Sequence, residues 1–287
     1  MQAFSLFRIA MFSDTHCHLF SQIDTTTLQT ILPELEKNFC FVQDIGTKPD
    51  DFIDRYKKAQ RFYTKIPDIF RFSLGIWPSA AYIADIERSL HILEENIKTA
   101  RQLGLPIALG ECGLDRYWNG ENAKNHHESS ATEDIAGEES LFEKQLMLAK
   151  KYRLPVIVHS RDAFAATLKV IDKVGYHYGV IHCYSYGVDE AQQFLERGWY
   201  ISFSGNCTFA TTHVKKAKTA ELVKSVPMDK LLLETDAPYL TPAPHRGKTN
   251  NPLYVKYVYE KVAQICGMSV AALSTVVFEN ARKLFDS

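Results

Sequence analysis

No stretch of this sequence approaches the ~20 consecutive apolar residues that a membrane-spanning helix needs, so no membrane partner is expected. Nor does the start of the chain resemble a secretory signal. Residues Met1–Ala10 hold one Arg and a few apolar residues, without an apolar h-region or a small-residue cleavage site. Residues 1–10 read as a short N-terminal extension, with Met11 as an alternative initiator. The six cysteines form no CxxC pair and no compact framework. Four of them lie in or beside apolar runs, which fits buried free thiols in a reducing, cytoplasmic setting. Excess charge is missing too: 33 basic residues stand against 34 acidic ones, for a net charge of −1. There is thus no global basic field to advertise nucleic-acid binding, and positive contacts to such a substrate must be local. No GxGxxG opens the helix after the first strand-like run, which removes support for a dinucleotide fold. Internal repeats and low-complexity tracts are absent as well.

What is present is an alternation of short apolar runs with longer amphipathic stretches. The runs are Met11–His18, Phe39–Ile45, Phe70–Ile76, Pro106–Cys112, Leu154–His159, Gly179–Cys183, Trp199–Ser204 and Lys230–Thr235. Helical patterns lie between them at Leu28–Asn38, Asp50–Lys65, Ile83–Leu103, Glu139–Tyr152, Ala163–Val174, Val188–Arg197 and Lys215–Val226. Tyr254–Gly267 and Val270–Phe285 supply the last helices. Eight strand-like runs with intervening helices predict an α/β fold, a TIM-like (β/α)8 barrel, better than an open doubly wound sheet. At 287 residues and 46% hydrophobic, the chain is expected to form one barrel domain over residues 1–287. Residues 118–137 are too polar to bury and read as a long loop after the fourth strand, on the side where barrel active sites lie.

Chemistry-bearing residues recur where the runs stop. His16 and His18 in the first run are answered by Glu111, His159, His182 and Asp236 at the ends of four others. Strand side chains alternate between faces, so His16 and His18 share a face and Cys17 takes the opposite one. Cys112 and Cys183 are likewise expected to face outward, toward the helices. Neutral imidazoles mixed with carboxylates suit one or two divalent ions and leave coordination positions for water. A carboxylate such as Glu111 can bridge two ions, and Asp236 can orient the water and accept its proton. Sets of His, Glu and Asp accept Zn, Mn, Ni or Mg, so the expected cofactor is one or two divalent metal ions of unassigned identity. A hydrolytic enzyme follows.

Several segments together resemble the TatD-type metal-dependent deoxyribonucleases. They are Asp14-Thr15-His16-Cys17-His18-Leu19, Gly110-Glu111-Cys112-Gly113-Leu114-Asp115, His159-Ser160-Arg161-Asp162-Ala163 and His182-Cys183-Tyr184-Ser185. With them go Ser202-Phe203-Ser204-Gly205, the Glu234–Pro242 stretch containing Thr235 and Asp236, Arg246–Pro252 and Glu279–Phe285. The resemblance runs in order from about residue 11 to 285. It implies an amidohydrolase-type barrel and a divalent-metal phosphodiesterase acting on DNA, single-stranded or at an end, as an exonuclease. By position it makes His16, His18, Glu111, His159, His182 and Asp236 the metal ligands, with Glu111 bridging. Related barrels hydrolyse esters, lactones or amides, including deacylation of mischarged D-aminoacyl-tRNA, and that is the alternative activity. Amidohydrolases of that kind often bridge their metals with a carboxylated Lys on the fourth strand; Glu111 at that place leans toward the nuclease branch.

One departure stands out. Where the family usually carries a Gly-x-His-Pro-His-like segment after the third strand, this chain has Gly75-Ile76-Trp77-Pro78-Ser79. Trp77 either stacks on a nucleobase or plugs the barrel mouth. Arg161 either meets a phosphate oxygen or pairs with Asp162 or Glu234. Arg246 and Lys248, in the loop after the eighth strand, either meet phosphate, as their charge and position suit, or form a solvated surface. Asp115 reads as a structural cap, and Ser204 and Asn206 either line the site or satisfy backbone. His91, His126, His127, His177 and His213 read as surface residues.

Overall fold

The computed structural model describes residues 11–124 and 130–286. The apolar runs become eight parallel strands in one sheet whose order follows the chain. They are β1 (Phe12–Cys17), β2 (Phe39–Asp44), β3 (Phe70–Leu74), β4 (Ile107–Asp115), β5 (Val156–Arg161), β6 (Gly179–Ile181), β7 (Tyr200–Phe203) and β8 (Leu231–Leu233). Nearly every strand residue is buried, as expected where helices cover one face of a parallel sheet and a packed interior fills the other. The seam between β8 and β1 closes just past the end of β8. The Asp236 amide donates to the His16 carbonyl at 2.9 Å and the His18 amide to the Ala237 carbonyl at 2.8 Å. Barrel closure and the juxtaposition of Asp236 with His16 and His18 are therefore one structural event.

The helices follow from local chemistry. In α2 (Thr25–Asn38) the buried residues Leu28, Ile31, Leu32 and Leu35 fall on one face at helical spacing, and Asp24 caps the start by accepting the Thr27 amide at 3.0 Å. Burying each of those aliphatic side chains contributes about 1.5–3 kcal/mol. Asp85 caps α5 (Ile86–Gln102) in the same way, and Asp134 caps α6 (Ile135–Tyr152). The remaining long helices are α3 (Phe52–Gln60), α7 (Phe164–Val174), α8 (Val188–Glu196), α9 (His213–Ser225), α10 (Val255–Cys266) and α11 (Val270–Phe285), with single turns α1 (Leu19–Gln22) and α4 (Ala80–Ile83). Among the described residues no single helix is long and apolar enough to cross a membrane.

Two expectations change. β4 does not stop at Cys112 but runs to Asp115, with a register shift against β5 between Leu109 and Cys112. Gly113 permits this: its φ is +144°, and a Cβ there would lie 1.9 Å from the His159 carbonyl oxygen. The described residues of the segment after β4 are also less exposed than their polarity suggests. α6 begins at Ile135, and Asn119 is buried, donating to the Pro78 carbonyl at 2.9 Å and to Glu138 at 2.9 Å. The Asn119 side chain is satisfied inside the protein rather than by water, its Oδ1 also accepting the Thr132 amide at 3.0 Å. His126 and His127, like residues 1–10, lie outside the described residues.

Candidate metal centre

Glu111 is the hub of the site, and its two carboxylate oxygens face different partners. Oε1 lies 2.8 Å from His159 Nδ1 and 3.1 Å from His182 Nε2. Oε2 lies 3.5 Å from His16 Nε2 and 3.6 Å from His18 Nε2. Asp236 Oδ1 stands at the same 3.5 Å and 3.6 Å from those two imidazoles. Two groups capable of holding a cation result, His16–His18–Asp236 and Glu111–His159–His182, and all six side chains singled out in the sequence meet in one place. A third grouping joins His16 and His182 to Glu234.

The positions have identifiable causes. His159 and Glu111 sit within their strands, whereas His182 and Asp236 lie just beyond β6 and β8, where strand alternation no longer dictates direction. Asp236 adopts φ +56° and Cys183 φ +46°. That left-handed turn corrects one expectation: Cys183 does not face the helices but lines the cavity, its Sγ 3.2 Å from Ser204 Oγ. Cys112 is fully buried and donates to the Ile157 carbonyl, and Cys17 is a wall residue against β2. Neither joins the site.

Buried carboxylates hold the imidazoles in place. Asp115 Oδ2 is 2.8 Å from His159 Nε2, while its Oδ1 accepts the Tyr117 and Trp118 amides at 2.9 Å each. It is thus the structural cap expected and also the group that orients His159. Glu234 Oε1 accepts the Cys183 amide at 2.7 Å and lies 3.4 Å from His182 Nδ1. Asp14 is wholly buried, which pushes its carboxyl up to about 8; it accepts the Thr235 amide and hydroxyl and so ties the segment between β8 and Asp236 to β1. The His16 and His182 rings stack at 3.9 Å with 5° between planes.

The electrostatics favour positive charge at the centre. Burial opposes ionisation of Glu111, but the surrounding imidazoles of His182, His159 and His16 outweigh it and hold the carboxyl well below its usual range. Burial also disfavours a charged His159, yet Asp115 and Glu111 overcome this and raise it to about 9. His16 goes the other way: burial and the nearby His182 lower it. A divalent ion satisfies the same demand for positive charge without requiring protons.

The donor set fits such an ion. Two donors about 2.1 Å from one ion at a tetrahedral angle lie about 3.4 Å apart, close to the spacing of the His16, His18, Glu111 and Asp236 atoms. His16 Nε2 is buried and, among the described residues, has no hydrogen-bond partner although it faces two carboxylates. Leaving such a group unpaired costs about 1–3 kcal/mol, a cost that coordination removes.

The site opens into a cavity of about 940 Å³. Trp77 lines it, edge-on to His159 with ring centroids 6.1 Å apart, and Ser79 lies beside it. Arg161 also lines it, but it pairs with neither Asp162 nor Glu234; its guanidinium stacks on Tyr117 at 3.7 Å. Asn206 lines the wall, while Ser204 is buried behind Cys183. Arg246 and Lys248 are not brought there: both are exposed, with Arg246 packed on Phe209 at 3.7 Å. His91, His177 and His213 are exposed, as expected. Sequence reasoning missed Lys48, which lines the cavity from the loop after β2, and Tyr239, half exposed at its rim. It also missed the service of Glu234 to His182, although the two-residue spacing to Asp236 was a usable signal.

Residues 13–286 match the family described as TatD related DNase. An uncharacterized metal-dependent hydrolase of Bacillus subtilis, YabD, is 31% identical over 96% of this chain and 99% of its own length. A second, YcfH of Escherichia coli, is 39% identical over 75% of this chain and 73% of its own. Among solved structures, the TatD homolog YJJV of Escherichia coli covers 97% of this chain and 99% of its own at a TM-score of 0.78 and 24% identity. A TatD-family hydrolase from Entamoeba histolytica covers 96% and 99% at a TM-score of 0.73 and 18% identity. Both share the barrel.

Proposed function

The chain belongs to the TatD-related family of metal-dependent hydrolases, and from that footing we propose that it is a divalent-metal-dependent phosphodiesterase trimming DNA from an end. The observation that carries this is the split of the Glu111 carboxylate, one oxygen toward His159 and His182, the other toward His16 and His18. His16, His18 and Asp236 would hold one ion, His159 and His182 a second, and Glu111 would serve both. When bound, such ions supply Lewis-acid charge and a water that deprotonates near neutral pH, and a pair suits the attacking and leaving oxygens of phosphoryl transfer.

The protein's own residues do the rest. Asp236, buried against His16 and His18 yet open to the cavity, orients the attacking water and accepts its proton. Asp115 keeps His159 in register through Nε2. Arg161, anchored on Tyr117, offers charge to a non-bridging phosphate oxygen, and Trp77 offers a flat face to a base.

The test is hydrolysis of end-labelled single-stranded and overhang DNA with Mg²⁺, Mn²⁺ or Zn²⁺. Shortening from one end is expected, with chelator abolishing it and metal restoring it. Turnover of aminoacyl or carboxylic esters with every DNA substrate intact would replace this function by ester hydrolysis at the same metals.

A further inference from the structure

The chain is neutral as a whole, yet its charge is not evenly spread. None of its 34 acidic residues falls between Glu196 and Glu221, or between Asp236 and Glu260. Besides Arg197, which pairs with Asp172, these two acid-free stretches carry Lys215, Lys216, Lys218, Arg246, Lys248 and Lys256, all exposed. None of the six takes part in an ion pair among the described residues.

The fold brings the two stretches together. One follows β7 and leads into α9, the other follows β8 and leads into α10, so both begin on the barrel face that bears the metal centre. They touch directly: the Ala243 amide donates to Thr208 Oγ1 at 2.9 Å, and Arg246 packs on Phe209. At Gly205 a Cβ would stand 1.9 Å from the Leu240 carbonyl oxygen, so only glycine lets the loops close up. Their inner ends line the cavity through Asn206, Tyr239 and Leu240.

α9 is unusual in what it leaves uncovered. Thr211 through Lys218 are all exposed, Val214 is 67% exposed, and Val223 is the one buried residue of the helix. An amphipathic barrel helix would bury a stripe along its length. Here the first half of the helix stands clear of the barrel and displays three lysines, with Glu221 the one acid of the helix and no ion pair to any of the three among the described residues.

We propose that this ridge, α9 from Lys215 to Lys218 with the Arg246–Lys248 loop, is a track for the phosphates of a single polynucleotide strand whose end occupies the metal cavity. Local positive charge supplies what the neutral whole does not. The half-exposed Tyr239 ring at the cavity rim offers a stacking surface between track and centre. The inference rests on the nuclease function for what sits in the cavity, but the track itself is tested separately.

The test compares wild type with the triple variants Lys215→Glu/Lys216→Glu/Lys218→Glu and Lys215→Gln/Lys216→Gln/Lys218→Gln. Binding of labelled oligothymidine and oligouridine, about 20 or about four nucleotides long, is read by fluorescence anisotropy in chelator, so that cleavage does not intervene. Thermal melting verifies that the exposed substitutions leave the fold intact. The Glu variant should lose at least about tenfold in affinity for the long strand and little for the short one. The Gln variant should fall between, and the salt slope should drop by about 0.7 for each phosphate contact removed. Comparison of the thymidine and uridine strands says whether the track prefers DNA.

Unchanged long-strand affinity and slope in a variant that melts normally would overturn the track while leaving the nuclease function standing. So would lysine-dependent binding to phosphatidylserine vesicles without binding to either strand. Lysine-dependent strand binding by a protein that cleaves no DNA would instead retain the track and remove the nuclease function.

Discussion

Replacing Asp236 with Asn should lower kcat on single-stranded DNA by about 10²–10⁴-fold, the usual contribution of a general base, at saturating metal. The substitution is nearly isosteric. The amide oxygen can still face His16 and His18, where Asp236 Oδ1 now stands at 3.5 and 3.6 Å. The backbone bond from the Asp236 amide to the His16 carbonyl, which closes the barrel seam, is untouched. What is lost is the ability to take a proton. The surroundings of Asp236 keep it in the ionised form that a base must start from, since burial opposes its charge but His18 and His16 outweigh burial and hold it below its ordinary pKa. Metal content by elemental analysis should stay at the wild-type level. A wild-type rate in the Asn variant would remove Asp236 from the role of base.

The largest expected loss of stability lies elsewhere, at Arg55. Its guanidinium is wholly buried under the barrel mouth and touches Asp44, Asp51 at 2.9 Å and the Ser73 carbonyl at 2.6 Å. Asp44 is fully buried too and also accepts the Phe20 amide at 2.8 Å. Arg55 thus joins β2, β3 and α3 and holds the loop after β2 that presents Lys48. Arg55→Met should cost about 3–5 kcal/mol, because it strands a buried carboxylate. The sign of the pH dependence follows. Burial already raises Asp44 despite Arg55, and without Arg55 its folded-state pKa rises further. In the window between the unfolded value and that raised value the folded state binds the extra proton, so stability falls as pH rises. The deficit measured by urea unfolding should therefore be smaller near pH 5 than near pH 8. A deficit of less than about 1 kcal/mol at both would show that the pair does not organise this corner.

Arg55 also illustrates what the sequence conceals. The strands were legible because a closed parallel barrel needs near-continuous apolar runs, and the six metal-centre candidates because each stands in or just past the last part of such a run. Pairings between distant polar residues leave no periodic trace. Gln145, fully buried, accepts the Ile76 amide at 2.8 Å and donates to its carbonyl at 3.0 Å, yet it lies in an ordinary helical pattern. Glu138 is equally hidden: it accepts the Asp115 amide at 2.7 Å and so supports the group that orients His159. Alternation failed for Cys183 because the strand had already ended. Charge and order alone point Arg246 and Lys248 at the site, whereas the loop packs Arg246 on Phe209 and leaves both side chains exposed. The helix expected over Ile83–Leu103 forms as α5 but starts three residues later, at Ile86, where Asp85 caps it just past the separate turn α4.

The central claim is that Glu111 lies between divalent ions held by the two imidazole groups. The most direct measurement is anomalous scattering from crystals of metal-saturated, catalytically active protein, collected at the Mn or Zn edge. The account predicts density against the Glu111 carboxylate, one peak with His16, His18 and Asp236 and another with His159 and His182. Active protein showing no peak in coordinating contact with Glu111, or an ion held instead by Glu234 with His16 and His182, would contradict it.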